Sequence, residues 1–153
     1  MLRQICRIGM LYYMKKYPIS LLIIAIVIYL SFFTPPSDIF LSKIPHFDKI
    51  VHFGIYFVMS GALWFEFLRN NRNNRKPMYH AWIGGFLAPV LFGGVVEILQ
   101  EQYTVYRGGD WFDMIANTTG ALLASLLARY IIAPKYYNEI EGRQNNASST
   151  ERY

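Results

Sequence analysis

Four stretches of this chain are almost wholly apolar, and short polar segments separate them. They are Tyr17 to Phe33 (YPISLLIIAIVIYLSFF), Val51 to Leu68 (VHFGIYFVMSGALWFEFL), Ala81 to Leu99 (AWIGGFLAPVLFGGVVEIL) and Met114 to Ala133 (MIANTTGALLASLLARYIIA). An α-helix needs about 20 residues to cross about 30 Å of hydrocarbon, and each run approaches that length. A helix of a soluble bundle shows a polar face along its whole length, and the first run shows none. The pattern predicts an all-α fold, a polytopic membrane bundle of four transmembrane helices. His52, Glu66 and Glu97 interrupt the second and third runs, all close to the segment ends.

Composition agrees with a membrane setting. The 153 residues suffice for one domain, and only 16% are charged while 54% are hydrophobic; soluble proteins average about 25% charged. The chain divides into a basic leader (1–16), a helical membrane domain (17–133) and a polar tail (134–153). The tail contains GRQNNASSTERY, has no apolar period and is expected to be disordered. A basic start before an apolar run resembles a secretory signal, but SFFTPPSD offers no small-x-small cleavage site, so a retained anchor is expected. Cys6 is the single cysteine, which excludes an internal disulfide. No repeat, zinc-type cysteine pair or phosphate-cradling glycine loop is present; the YRGGD glycines follow no strand.

Charge sets the orientation. Arg3, Arg7, Lys15 and Lys16 precede the first run, Arg69, Arg72, Arg75 and Lys76 fill the second connection, and Arg129, Lys135, Arg143 and Arg152 follow the last run. With four crossings these twelve share one side, leaving Lys43, Lys49 and Arg107 on the other. The positive-inside rule then makes both termini cytoplasmic in a multi-pass membrane protein. It also accounts for the excess positive charge, so nucleic acid is not an expected partner; anionic lipid beside the basic loops is.

Polar residues then converge outside. Glu97 lies about 24 Å along a helix entering at Ala81, just below the outer surface. Gln100 and Glu101 follow one turn later, Asp113 opens the fourth helix, Asn117 lies one turn deeper, and Asp48 and His52 begin the second. A carboxylate at the bilayer centre costs roughly 2.5 to 3.5 kcal/mol and less near the interface, so partners such as His52 or Arg107 are expected. The sequence therefore predicts an outward polar pocket at the ends of helices two, three and four. Gly84, Gly85, Gly93 and Gly94, with Gly120 and Ala124, are small residues suited to close helix packing around it.

Several of these residues have simpler roles available. Asp110 followed by Asp113 reads as a helix N-cap with an acidic N3 residue, and Asp48 can cap the second helix. Glu66, three residues before Arg69, reads as a local ion pair. Tyr12, Tyr13, Tyr17, Tyr79, Trp82, Tyr103, Tyr106 and Trp111 lie at segment ends as headgroup-level anchors. The acceptor motifs NTT at Asn117 and NAS at Asn146 fall in a span and in the cytoplasmic tail, so neither is expected to be glycosylated.

The stretch DKIVHFGIYFVMSGAL, then EILQEQ, then R-G-G-D-x-x-D-x-x-x-N-x-x-G from Arg107 to Gly120 resembles the VanZ-like family of small bacterial membrane proteins. The resemblance runs from about Asp48 to Arg129 and combines D-K-x-x-H, E-x-x-Q and R-x-x-x-x-x-D-x-x-x-N-x-x-G in order. It implies a ligand-binding set of Asp48, Lys49, His52, Glu97, Gln100, Arg107, Asp113 and Asn117, with Gly120. Ala124 stands where the family often has a second glycine. The founding member's link to teicoplanin resistance implies a cell-envelope role of that broad kind.

Three functions stay open from the sequence. One is binding or modification of an envelope component, a lipid headgroup or a peptidoglycan precursor, with Arg107 as anion contact. In an enzyme of this kind Glu97 or Asp113 is the candidate general base and His52 the acid. The second is a structural or assembly role in which the polar residues only hold helices together. The third is a small transporter, against which the polar groups gather at one end and do not continue through the helices. His52, Glu97 and Asp113 offer donors that suit Zn or Mn, but their spacing gives no support for a metal site, and neither metal nor cofactor is expected. The oligomeric state is not legible.

Overall fold

The computed structural model describes residues 14–32, 47–72, 77–103 and 110–150. All of them lie in helices or short turns, with no strand among the described residues. We number the helices α1 (Pro18–Phe32), α2 (Phe47–Asn70), α3 (Tyr79–Tyr103), α4 (Trp111–Leu127) and α5 (Ala133–Thr150). The ranges Phe47–Asn70, Tyr79–Tyr103 and Trp111–Gly142 are long and apolar enough to cross a membrane. The first run becomes α1, apolar throughout but 15 residues long, or about 22 Å at 1.5 Å per residue. Among the described residues, three helices are therefore long and apolar enough to cross, and α1 is a shorter apolar helix beside them.

The three longer helical ranges extend beyond their apolar runs at both ends. Asp48, Lys49, Gln100 and Asp113 accordingly lie on helix and not in connecting loops. The tail, expected to be disordered, continues as helix to Thr150.

Two π-helical turns mark prolines. Ile83–Leu87 ends two residues before Pro89, and Ala128–Ile132 ends two residues before Pro134. Proline supplies no N–H and crowds the carbonyl four residues back, and in both places the backbone widens to an i→i+5 pattern: Ala88 N–H reaches Ile83 O, and Ala133 N–H reaches Ala128 O. The carbonyl four residues before Pro89 belongs to Gly85. It accepts the Ser60 hydroxyl and lies 3.3 Å from Ser125 Oγ, which in turn accepts Trp64 Nε1–H at 3.0 Å.

α2 and α4 form the main pairing and run parallel in one register. Lys49 faces Asp113, His52 faces Asn117, and Ser60 faces Ser125. Gly120 makes this approach feasible, because a β-carbon there would collide with the Phe53 carbonyl. Gly85 and Gly93 on α3 leave room for the Trp64 and Tyr56 rings in the same way, whereas Gly84 meets nothing and Gly94 only Met114. An apolar core at the far end joins Trp64, Phe67, Leu68, Ala81, Ala128 and Ala133. Trp82, expected as a headgroup anchor, packs edge-on against Trp64 at 5.9 Å within that core. Tyr79, Tyr103 and Trp111 are exposed, as anchors should be. Leu22, Ile50, Val58, Leu91 and Ile115 also point outward, which water disfavours and a lipid environment accommodates.

α1 is fastened at both ends. Ile19 N–H, Ser20 N–H and the Ser20 hydroxyl donate to the Glu66 carboxylate at 2.9, 3.1 and 2.5 Å. Gln100 Nε2 donates to Ser31 O at 3.0 Å. Glu66 is fully buried, and Arg69 is a secondary partner at 3.7 Å. The local ion pair read from sequence is thus subordinate to capping of a neighbouring helix, whose free N–H groups and dipole favour an anion.

Candidate functional site

At the other end of the bundle, α2 begins, α3 ends and α4 begins. Asp110 adopts an extended conformation and accepts Phe112 N–H on Oδ1 at 2.9 Å, capping α4. Its second oxygen accepts from Lys49 Nζ at 2.6 Å, and the same ammonium donates to Asp113 Oδ1 at 2.9 Å. Lys49 also lies 5.6 Å from the centre of the Phe112 ring. One cation from α2 therefore holds two carboxylates at the start of α4. The Lys49 ammonium lowers the Asp110 pKa below its usual value, and the Phe112 amide adds to the effect.

His52 occupies the centre. Its Nδ1 lies 3.1 Å from Asn117 Oδ1 and 3.7 Å from Glu97 Oε1. Its Nε2 lies 3.8 Å from Asp48 Oδ1 and 3.7 Å from Asp113 Oδ2. An amide oxygen only accepts, so the contact with Asn117 puts a proton on Nδ1. Nε2 is the nitrogen that faces the two aspartates.

Glu97 is buried, and Asp110 N–H donates to its Oε2 at 3.4 Å, a long hydrogen bond. Its Oε1 has no hydrogen-bond partner, and neither has Asn117 Nδ2. Buried polar groups normally find partners, so two orphans beside one histidine are informative. Tyr56 joins them: one turn below His52 and within the field of Glu97, it buries a hydroxyl without a hydrogen bond. The sequence reading missed Tyr56. Its spacing of four from His52, opposite Gly93, which lies one turn before Glu97, was the signal.

Asp48, Lys49, His52, Glu97, Asp113 and Asn117 are thus brought together. Gln100 is buried, and its Nε2 donates to Ser31 O of α1. Glu101 is exposed. Arg107 lies outside the described residues. A groove of about 520 Å³ opens between α1, α2 and α3, lined by Tyr17, Ser20, Leu63, Phe67, His80 and Gly84 among others. It lies at the Glu66 end, so this concavity and the polar cluster occupy opposite ends of the bundle.

No protein-family model matches the chain, and no solved structure matches it. It is similar to an uncharacterized protein of the fission yeast Schizosaccharomyces pombe, 30% identical over 84 residues, 55% of this chain and 48% of the yeast protein. The chain therefore spans about half the length of that curated relative. What the comparisons and the helices together establish is an all-helical protein with three helices able to cross a membrane and a relative in yeast.

Proposed function

We propose that this is a VanZ-like membrane protein whose polar cluster binds the polar headgroup of a membrane component at the outer face. The observation that carries this reading is Glu97: a buried carboxylate whose Oε1 lacks a hydrogen bond, beside His52 and an Asn117 Nδ2 that also lacks one. A cluster evolved only to join helices tends toward full satisfaction, since each buried orphan costs about 1 to 3 kcal/mol. A ligand supplying a donor to Glu97 and an acceptor to Asn117 removes that cost.

Four crossings with both termini cytoplasmic are part of the proposal. The two fastenings of α1 support it: Ser20 lies at the Glu66 level and Ser31 at the Gln100 level, so α1 runs alongside α2 and α3 from one end to the other. The resemblance to VanZ-like proteins favours a bacterial inner membrane and an envelope component. A yeast relative favours a lipid headgroup over a peptidoglycan precursor, because fungi make no peptidoglycan.

The assembly reading keeps one observation of its own, the Lys49 clamp on Asp110 and Asp113. Native mass spectrometry of the protein released from nanodiscs containing phosphatidylglycerol and phosphatidylethanolamine separates the two. Retained lipid that is lost in Glu97→Gln but kept in Glu101→Gln, with both variants folded, supports headgroup binding. Equal retention in wild type and Glu97→Gln, for every lipid supplied, refutes it in favour of assembly.

A further inference from the structure

The groove at the Glu66 end has a polar mouth and an apolar body. Lys16 and His80 line it where α1 and α3 begin, and Leu21, Ile24, Leu63 and Ile83 line it further along. On α3 it runs from His80 to Ala88, about 12 Å of helix axis at 1.5 Å per residue. One leaflet contributes roughly half of the 30 Å hydrocarbon core, so the groove is about one leaflet deep. Its volume of about 520 Å³ falls in the range of ligand sites.

The groove follows from how α1 is held. Asn70 Nδ2 donates to Lys16 O at 2.6 Å and the Glu66 carboxylate caps α1, so the start of α1 is fixed to the end of α2. Its other end meets the second half of α3 through Gln100. The first half of α3 stands off from α1, and a β-carbon placed on Gly84 meets nothing within 4 Å. Leu21 and Ile83, one on each wall, are exposed. Apolar walls that face a void forfeit dispersion contacts, which an alkyl chain restores.

Charge selects what such a chain should carry. Lys15 and Lys16 precede α1, Arg69 and Arg72 lie at the end of α2, and no aspartate or glutamate lines the groove. Glu66, bonded to the lining residue Ser20, is answered by the α1 N–H groups, the Ser20 hydroxyl and Arg69. Lys16 has contacts within the protein, but an ammonium carries three donors. His80 is exposed at the same level. Basic pockets between spanning helices suit anionic lipid headgroups.

We propose that this groove holds one anionic phospholipid, with an acyl chain between α1 and the first half of α3 and its phosphate at Lys16 and His80. The site lies at the opposite end of the bundle from Glu97 and does not rest on the headgroup reading made there.

The test uses the full-length protein in nanodiscs of equal phosphatidylglycerol and phosphatidylethanolamine, released for native mass spectrometry. The expected result is one phosphatidylglycerol per chain retained in preference to phosphatidylethanolamine. That preference should fall at least fivefold in Lys16→Gln combined with His80→Gln. It should be lost in Gly84→Leu, whose side chain occupies the groove, and kept in Glu97→Gln. Where Gly84→Leu fails to fold, the Lys16 and His80 double variant decides, because neither side chain is buried. Equal retention of the two lipids by wild type, or unchanged phosphatidylglycerol in folded Gly84→Leu, overturns the proposal. A wild type that holds no lipid and forms dimers that Gly84→Leu dissociates overturns it in favour of a second copy in the groove. Lipid lost in Glu97→Gln but not in Gly84→Leu overturns this site alone; lipid lost in Gly84→Leu but not in Glu97→Gln overturns the headgroup reading alone.

Discussion

Asn117 Oδ1 and His52 Nδ1 meet at 3.1 Å across the parallel α2–α4 pair, and Asn117 is almost completely buried. This contact holds the ring with Nδ1 toward Asn117 and Nε2 toward Asp48 and Asp113. Asn117→Ala removes the acceptor and leaves the ring free to turn. We expect a loss of about 1 to 2 kcal/mol, seen as a lower melting temperature in detergent. Unchanged melting refutes a structural share for the contact.

Glu66 carries the fastening of α1. Removing its carboxylate strands two backbone amides and a hydroxyl that it now accepts. Glu66→Ala should cost about 3 kcal/mol, in the upper range for hydrogen bonds to a charged group. Arg69→Ala should cost less than about 1 kcal/mol, because that side chain is 43% exposed and 3.7 Å away. Equal costs in chemical unfolding would return Glu66 to the role of a simple ion-pair partner.

Gly120 and Gly84 make a matched pair of tests. A β-carbon at Gly120 runs into the Phe53 carbonyl, which belongs to backbone and moves only with α2. Gly120→Ala should cost about 2 kcal/mol from overpacking. At Gly84 the same atom meets open space, so Gly84→Ala should be neutral or stabilise by up to about 1 kcal/mol through helix propensity. Thermal melts of the two variants side by side decide the matter.

The Lys49–Asp110 pair gives a defined pH dependence. Lys49 lowers the Asp110 pKa in the folded state below its unfolded value, which is about 3.9. The contribution is therefore fully present above about pH 4 and is lost as pH falls through the lower folded value. The stability difference between wild type and Asp110→Asn should be constant from pH 7 to 5 and shrink below pH 4. A difference that shrinks between pH 7 and 5 instead assigns it to another group.

Cys6, the single cysteine, reports the topology. In sealed cells a membrane-impermeant maleimide should leave Cys6 unlabelled, while Val105→Cys in a Cys6→Ser background should be labelled. Labelling of both places them on one face, as an uncrossed α1 requires.

The alternation of apolar runs and polar connections was enough to read an all-helical membrane bundle and to place Asp48, His52, Glu97, Asp113 and Asn117 at one end of it. Helical rise converts residue number into depth, so residues at the ends of three runs had to share a level. The cap at Asp110 was legible too, because it acts on the residues next to it in the chain. What sequence could not supply was direction around each helix. Glu97 and Gln100 are one turn apart, yet one joins His52 and the other fastens α1. Trp82 and Tyr79 both sit at a segment end, yet only Trp82 turns into the core. Glu66 looked local because Arg69 is near in sequence, while its main partners lie 46 and 47 residues away. Helical rise fixes depth along a helix axis; which neighbour a side chain meets depends on how the helices rotate against one another. That rotation was decided by contacts far apart in the chain, above all Gly120 against Phe53 and the parallel register of α2 with α4.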